Sequence, residues 1–241
     1  MKLTRSGCVV PDTSEIKKEL TVRPIVNADF GVAPPSFKVF RKAKSGLCVP
    51  RYYAEEKFGK LVEDIRPKPE KIKISFKGKL RDETHQNEAL SKAIEAGHGI
   101  LSLPCGFGKT TVSLAIACKL GYRTMIVVHK EFLANQWKER IQQFCPGASI
   151  GIVRQNKKEV NCDFVIAMLQ SLSLKEYSFE DFDSIGTLIV DEAHHICAKV
   201  FSQSLFKLCP KHAFGLSATP NRKDGLTKVL HWFMGPTFFS V

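Results

Sequence analysis

The sequence predicts an α/β fold in which helices cover both faces of a parallel sheet, preceded by a small, basic, β-rich module. Two observations predict this architecture. From Lys71 onward, apolar strand-like runs alternate with helical spacing, which is the pattern of strand–helix units in a doubly wound sheet. The first 80 residues instead hold seven of the twelve prolines and most of the net positive charge, so they form a different kind of unit.

The composition indicates a globular protein with a sizeable core. At 241 residues and 44% hydrophobic content, the chain fits one large or two small domains. No apolar run approaches the roughly 20 residues that a membrane helix needs, and residues 1–10 lack the apolar segment of a signal peptide. The eight cysteines are scattered without a C-x-x-C pair, which is typical of reduced thiols. We therefore expect a soluble, intracellular protein.

The N-terminal third is the most basic part of the chain. Residues 1–80 contain 18 lysines and arginines against nine acidic residues, a net charge of +9, whereas residues 81–241 carry a net +3. Such a surface is typical of proteins that meet phosphate backbones, although a merely solvated basic surface gives the same count. The segment Arg66-Pro67-Lys68-Pro69 cannot continue a helix and predicts a linker. We therefore divide the chain into an accessory module, residues 1–65, and a main domain, residues 66–241.

Aromatic and basic side chains are interleaved within the module. The stretch SFKVFRKAKSGLCVPRYYA predicts two strands joined by a turn at Ser45-Gly46. Its rings belong to Phe37, Phe40, Tyr52 and Tyr53. These rings could stack on bases while the neighbouring cations neutralise phosphates, or they could form the core of the module. The sequence leaves both interpretations open.

The main domain is predicted to alternate strands with helices. The predicted strands are Ile100 to Leu103, Thr124 to Val128, Phe164 to Met168 and Thr187 to Val190. Between the second and third of these strands, Leu133, Trp137 and Ile141 recur at helical spacing. Because ligands collect at the carboxyl ends of parallel strands, we expect the functional site at that edge of the sheet.

A phosphate-binding loop is predicted directly after the first of these strands. The stretch LPCGFGKTT fits the pattern G-x-x-x-x-G-K-[ST], except that Leu103 replaces the first glycine. This position precedes the part of the loop that wraps phosphates, and Gly106 and Gly108 still allow the tight turn. Lys109 would reach the β- and γ-phosphates, and the Thr110 hydroxyl would ligate Mg²⁺. The predicted nucleotide-binding residues of the loop are Pro104, Cys105, Gly106, Phe107, Gly108, Lys109, Thr110 and Thr111.

A pair of carboxylates supports this site against the alternative of a glycine-containing turn with a chance lysine. The strand in LIVDEAHH delivers Asp191 and Glu192 to the same sheet edge, where adjacent carboxylates are costly without a cation. Asp191 is predicted to orient Mg²⁺, commonly through water, and Glu192 to polarise the attacking water. We therefore predict ATP and Mg²⁺ as cofactors, with Lys109, Asp191 and Glu192 as the catalytic residues.

The ordered series LPCGFGKT, DEAH and SATP resembles motifs I, II and III of superfamily 2 helicases. The stretches HKEFLANQW, MLQSLS and SATPNRKDGLTKV are most similar to the XPB-like branch, and within it to helicases of large nucleocytoplasmic DNA viruses. The resemblance covers residues 71–241. It implies a RecA-like domain of a helicase that uses ATP to move on DNA or RNA, in viral transcription or genome processing. It also implies a location in the nucleus or host cytoplasm, in a virus factory or virion. A duplex-DNA translocase subunit that does not separate strands is the alternative.

The resemblance implies further site residues. It assigns the adenine edge to Gln86 and ring stacking to Arg81. It couples the nucleotide site to motif III through His194, Ser217, Ala218 and Thr219. It places four residues against the nucleic-acid strand, namely His129, Lys130, Gln136 and Gln170.

Two further expectations concern a metal site and the end of the chain. The spacings His194-x-x-Cys197 and Cys209-x-x-His212 are compatible with Zn²⁺, but the resemblance already gives His194 a coupling role, so no zinc site is expected. After SATP we expect no further strand–helix repeats in which the motifs of a second RecA-like domain could sit, so we expect that domain to be absent from this chain. In the resembling family that domain supplies arginines to the nucleotide, so we expect very slow hydrolysis and no unwinding by residues 1–241.

Overall fold

A computed structural model of the chain describes residues 1–25, 34–59, 63–197, 199–219 and 223–241. The N-terminal module consists of short strands and two helices. In chain order they are β1 (Lys2–Thr4), β2 (Gly7–Val10), α1 (Ser14–Glu19), β3 (Thr21–Val22), β4 (Phe37–Lys38), β5 (Arg41–Ala43), β6 (Gly46–Val49), α2 (Arg51–Phe58) and β7 (Glu63–Asp64). Five of these strands form one sheet in the order β5-β6-β2-β1-β7, and β3 pairs with β4. The module is therefore rich in β-structure, as predicted.

The aromatic stretch of the module forms one hairpin and one helix. Strands β5 and β6 are antiparallel, which confirms the predicted hairpin. Tyr52 and Tyr53, however, lie in α2, because Pro50 ends the strand and Arg51 begins a helix with an ion pair to Glu55 at 2.7 Å. All four rings of the stretch are buried. Their burial supports the interpretation that they form the core of the module rather than a base-stacking surface.

The linker runs along the amino edge of the main sheet. Residues 65–70 contain neither helix nor strand, as the prolines predicted. The backbone N–H of Glu70 donates to the Ser184 carbonyl at 2.9 Å, and that of Ile72 donates to Gly121 at 3.0 Å. These bonds fasten the linker to the loops that precede the sheet strands.

The main domain is built around an eight-stranded sheet. Its elements are α3 (Gln86–Ala96), β8 (His98–Ser102), α4 (Lys109–Leu120), β9 (Thr124–Val128), α5 (Glu131–Phe144), β10 (Ile150–Arg154), β11 (Lys157–Lys158), β12 (Phe164–Met168), α6 (Leu169–Leu174), β13 (Thr187–Val190), α7 (Lys199–Ser204), β14 (His212–Ser217), α8 (Thr227–Met234) and β15 (Thr237–Ser240). The strand order is β11-β10-β12-β9-β13-β14-β8-β15, and every pair is parallel except β10 with β11. The predicted parallel sheet is confirmed.

Alternating side chains of the strands supply both faces of this sheet. In β9 all five residues are buried, with Met125 and Val127 in one core cluster and Ile126 and Val128 in the other. Helices α3, α4 and α5 contribute to the second cluster, and α6 and α8 contribute to the first. Helices therefore cover both faces, because each strand is apolar on both sides.

The core of the module is continuous with one face of the main sheet. Helix α2 packs on α8, where the ring of Tyr53 meets the edge of Trp232 with centroids 5.6 Å apart. Val229 and Leu230 of α8 lie in the same cluster as Leu3 of the module and are fully buried or nearly so. The module and the main domain thus share a hydrophobic core.

Candidate active site

The predicted functional side chains converge at the carboxyl edge of the sheet. Strands β8, β14, β13 and β9 are neighbours and run parallel. The phosphate loop, residues 104–111, follows β8. Asp191 and Glu192 follow β13, and Ser217 ends β14. Adjacent parallel strands place these groups side by side, as a site at the edge of a doubly wound sheet requires.

The phosphate loop uses its two glycines for backbone geometry. Gly106 has φ of 80° and Gly108 has φ of 93°, both in a region that favours glycine. Gly108 is the N-cap of α4, so the first helical residue is Lys109 and its helix points its positive end at the loop. A Cβ atom on Gly106 would meet no other atom within 4 Å, so the loop borders open space at that point. The Cys105 side chain is exposed.

Leu103, the departure from the common pattern, belongs to the core. Its side chain is fully buried and packs in the same cluster as Val112 of α4. Its backbone N–H donates to the Ser217 carbonyl at 2.9 Å, which extends the pairing of β8 with β14 by one residue. The glycine is dispensable here because the positions of positive φ lie further along the loop.

Lys109 and Glu192 face each other across the site. The Lys109 Nζ lies 3.4 Å from Glu192 Oε1, and both side chains are largely shielded from solvent. Glu192 has φ of 49°, which is strained for a residue with a side chain. Its other carboxylate oxygen lies 3.5 Å from His194 Nδ1. The strained backbone thus aims this carboxylate between the loop lysine and a histidine.

Two hydrogen bonds hold the carboxylate of Asp191. Its Oδ2 accepts a bond from the indole N–H of Trp137 at 2.9 Å, and its Oδ1 accepts one from the backbone N–H of Glu192 at 3.0 Å. Burial raises the pKa of this carboxyl above its usual value, opposed by the bond from Trp137. A carboxylate in such surroundings is stabilised by a cation, so its position next to the phosphate loop fits Mg²⁺. Thr110, in the first turn of α4, is the second predicted ligand.

The residues predicted to couple motifs II and III are in contact. His194 Nδ1 lies 3.2 Å from the Ser217 hydroxyl, which also accepts the backbone N–H of Thr219 at 3.1 Å. Ala218 lies half-buried between these two residues. The hydroxyl of Ser217 therefore links the segment after β13 to the turn after β14.

Gln86 and Arg81 lie against the phosphate loop. The buried Gln86 amide donates to the Phe107 carbonyl at 2.5 Å and accepts from the Arg81 backbone N–H at 2.9 Å. Arg81 Nη2 donates to the carbonyl of Phe107 at 3.2 Å. Both side chains thus brace the loop, and the adenine contact and ring stacking assigned to them stay predictions.

Four residues were predicted to face nucleic acid, and three of them lie together. His129 and Lys130 follow β9, and Gln170 donates to the His129 carbonyl at 2.7 Å. Lys130, Gln136 and Gln170 are exposed. The His129 ring lies 4.0 Å from that of His195, centroid to centroid, and burial lowers the pKa of His129. Gln136 lies on α5, one residue from Trp137.

The zinc alternative does not fit the fold. His194 contacts Ser217 at the end of β14, whereas His212 begins that strand and bonds the Gly97 carbonyl at 3.0 Å. Six residues of strand span roughly 16 Å, so the two histidines cannot share one ion. The Cys197 side chain lies outside the described residues. Within the described part, no cluster of three metal-ligating residues is present.

None of the described helices combines the length and the hydropathy that crossing a membrane requires.

Two contacts of the site were not predicted from the sequence. Trp137 was recognised only as an apolar helical position, yet its N–H holds Asp191. The buried amide of Gln86 was not recognised as a brace for the loop. For Trp137, a signal was available in the sequence: its indole lies in the helix that follows β9, the strand next to the one that carries Asp191.

Comparison with known proteins gives consistent matches. The family model of the type III restriction enzyme res subunit (ResIII) matches residues 77–222. The chain is 33% identical over 257 residues to an ATP-dependent RNA helicase candidate of Acanthamoeba polyphaga mimivirus, which covers 98% of this chain and 48% of that protein. It is 32% identical over 166 residues to the DNA 3'-5' translocase XPB2 of Sulfurisphaera tokodaii, over 69% of this chain and 36% of that protein. The chain therefore spans about half the length of these relatives or less.

A solved structure matches the fold. The UvsW helicase from bacteriophage T4 aligns with a TM-score of 0.59 and 15% identity, over 93% of this chain and 92% of that one. At this level of identity the match shows the fold, which is RecA-like.

Proposed function

The chain belongs to the family of the type III restriction enzyme res subunit, and from this membership we propose that it is the ATP-binding part of a motor that moves on nucleic acid. The observation that carries the proposal is the apposition of Lys109 and Glu192, 3.4 Å apart, beside the partly buried carboxylate of Asp191. A lysine at a helix N-terminus and two carboxylates at the next strand end are the parts that phosphoryl transfer to water requires.

Each residue of this site has a distinct role in the proposal. The N–H groups of residues 104–111 and the Lys109 ammonium bind the phosphates of ATP. Thr110 and Asp191 would hold Mg²⁺, which neutralises charge on the phosphates when bound. Glu192 accepts a proton from the attacking water, and its position between Lys109 and His194 keeps it oriented. Arg81 and Gln86 contact the loop at Phe107, and we assign the adenine base of ATP to their side of the loop.

The residues proposed for coupling and for nucleic-acid contact lie along the same carboxyl edge of the sheet. His194 and Ser217 form the connection through which a change at Glu192 reaches the turn at 218–219. His129, Lys130, Gln136 and Gln170 are the proposed contacts to the nucleic-acid strand. The basic module, residues 1–65, adds phosphate neutralisation to the main domain, residues 66–241.

The relatives also motivate a proposal for the whole protein. Since they extend well beyond the matched region, a second RecA-like domain would complete the nucleotide site in the whole protein. A role in viral transcription or genome processing, within infected cells or virions, follows from the viral relative.

ATP turnover tests this function directly. The chain is assayed with MgATP alone and with single-stranded DNA, duplex DNA or RNA, next to a Glu192→Gln variant. The proposal expects slow turnover that Glu192→Gln abolishes, and nucleotide binding that both proteins retain. Turnover that survives Glu192→Gln would refute the assigned water-activating role. Fork unwinding by the longest natural chain separates a helicase from a translocase that leaves the duplex intact.

The module's contribution has its own test. Because the module shares a core with the main domain, charge removal is safer than deletion, and Lys18, Lys42 and Lys44 are exposed. Replacing all three by glutamine should flatten the salt dependence of nucleic-acid binding, since fewer counterions are released. An unchanged slope would show that this basic surface is merely solvated.

A further inference from the structure

A cavity of about 310 Å³ lies at the amino edge of the main sheet, opposite the nucleotide site. The module, the linker and the segments that precede β13 and β14 meet there. Ile185 borders the cavity and Asp191 lies six residues further along the same strand direction, so roughly 20 Å separates the two sites. The volume is at the lower end of the range for small-molecule pockets.

The walls of this cavity carry a surplus of positive charge. Arg5 and Arg66 also line it, but each is matched by a carboxylate: Arg5 by Asp183 at 3.2 Å and Arg66 by Asp64 at 2.7 Å. Three lysines remain, namely Lys68, Lys207 and Lys211.

In the described part of the chain, none of these lysines forms an ion pair with an acidic side chain. Lys207 Nζ donates to the carbonyls of Leu172 and Lys175, and Lys211 Nζ donates to the Tyr122 hydroxyl at 2.9 Å. Burial, followed by the charge of Arg41, lowers the pKa of Lys207, and the charge of Glu176 opposes this only in part. An anion in the cavity would relieve this repulsion.

The Asp183 carboxylate in the same wall can accept a further hydrogen bond. Its Oδ1 has no partner in the described structure but presents almost no accessible surface, so a ligand in the cavity cannot reach it. Its Oδ2 pairs with Arg5 at 3.2 Å, and the side chain is 25% exposed. Burial raises the pKa of the Asp183 carboxyl. A carboxylate oxygen accepts more than one bond, so Oδ2 can take an N–H donor that enters the cavity.

The remaining wall is apolar and suits a flat ring. Pro67, Pro69 and Pro210 line the cavity together with the buried side chains of Phe182 and Leu208. A ligand that fits all three kinds of wall combines a planar ring, an N–H donor and an anionic group.

We propose that this cavity binds a small organic phosphate of nucleoside-monophosphate size, with a ring N–H donated to Asp183 and the phosphate facing Lys68, Lys207 and Lys211. Such a ligand would bridge the module, the linker and the sheet. The site goes beyond the proposed motor function, because no residue of the phosphate loop takes part in it.

Calorimetry with adenosine monophosphate tests the proposal. The titration uses the chain with Lys109→Ala, so that binding at the phosphate loop is suppressed. Adenosine monophosphate should bind at one site. Asp183→Asn and Lys211→Glu should each weaken it about tenfold or more, as expected for the loss of a charge-assisted bond. Lys18→Glu, at an exposed position away from the cavity, is the matched control and should leave the affinity unchanged.

Two fragments of the nucleotide provide a further comparison. Adenosine and inorganic phosphate should each bind at least about tenfold more weakly than adenosine monophosphate, because each engages only one kind of wall. Absence of binding, or equal affinity in the variants and the Lys18→Glu control, would overturn the proposal. Inorganic phosphate that binds as tightly as the nucleotide would overturn it as well, since the cavity would then be only an anion site. Lys211 is exposed, so its variant tests the site even if Asp183→Asn unfolds.

Discussion

At position 103 the side chain of leucine fills the core beneath the phosphate loop, and its N–H completes the pairing with β14. The sequence showed only that a glycine was missing, and the loop chemistry suggested that the loss was tolerable. The structure adds the reason, because the two positions of positive φ are Gly106 and Gly108. Backbone geometry at those positions could be predicted from residue type, whereas the burial of Leu103 depends on α4 and could not.

Restoring the common glycine should therefore harm the protein. Leu103→Gly should lower the free energy of unfolding by about 3–5 kcal/mol, through a cavity and added backbone freedom. Urea unfolding measures this, with Leu174→Gly as a control at an exposed leucine that should cost about 1 kcal/mol. Nucleotide affinity should not improve. Equal losses at the two positions would refute the core role of Leu103.

The bond from Trp137 to Asp191 gives a second prediction at this scale. Trp137→Phe keeps an aromatic ring but removes the N–H, so the partly buried carboxylate of Asp191 loses a donor. We expect MgADP to bind about tenfold more weakly, the size of one bond to a charged group. Calorimetry measures this, and Trp232→Phe serves as the matched control because that ring packs against the module. An unchanged MgADP affinity in a folded Trp137→Phe protein would show that the indole does not position Asp191.

Among the elements, strands were predicted best. The runs at Thr124–Val128, Phe164–Met168 and Thr187–Val190 were predicted with the bounds that the structure has, because fully buried parallel strands are continuously apolar. Helix α2 was not foreseen. It follows directly on a strand, and its aromatic residues have strand propensity that the packing on α8 overrides.

The contact between α2 and α8 is expected to make the module and the main domain unfold together. Trp232→Ala should lower the free energy of unfolding by about 3–5 kcal/mol, as for other buried aromatic truncations, and Trp232→Phe by less. Circular dichroism reports the whole chain, and in Trp232→Ala the fluorescence of Trp137 reports the main domain. Both probes should give one coincident transition in urea. A separate early transition of the module would contradict a shared core.

Over the whole molecule, several histidines have pKa values lowered chiefly by burial. They are His98, His129, His212 and His231. Below the unfolded value of 6.5 the unfolded chain binds more protons than the folded one, so stability is lost as pH falls through that value. Asp183 and Asp191, whose pKa values are raised, act in the opposite direction at lower pH.

The urea concentration at the midpoint of unfolding should accordingly decrease as the pH is lowered from 7.5 to 6.0. His212→Gln, in which the amide can replace the bond to the Gly97 carbonyl, should make this fall shallower. A midpoint that is constant or rises over this interval would contradict the assigned shifts.

At this scale, too, the resemblance to superfamily 2 helicases of the XPB-like and viral kind is confirmed by the family and the relatives. The motifs allowed this because the stretches LPCGFGKT, DEAH and SATP follow one another in a fixed order along the chain. No sequence motif indicated the cavity at the amino edge of the sheet. Its walls come from residues between Arg5 and Lys211, which only the fold brings together.

We propose that Lys109 and Asp191 form one nucleotide site. Its most direct test is calorimetric titration of MgADP into the wild-type chain, Lys109→Ala and the control Lys119→Ala, an exposed lysine on the same helix. Loss of a charge-assisted contact worth about 1.5–3 kcal/mol should weaken binding to Lys109→Ala about ten- to a hundredfold, and Lys119→Ala should match the wild type. Equal MgADP affinity in all three proteins would contradict the account.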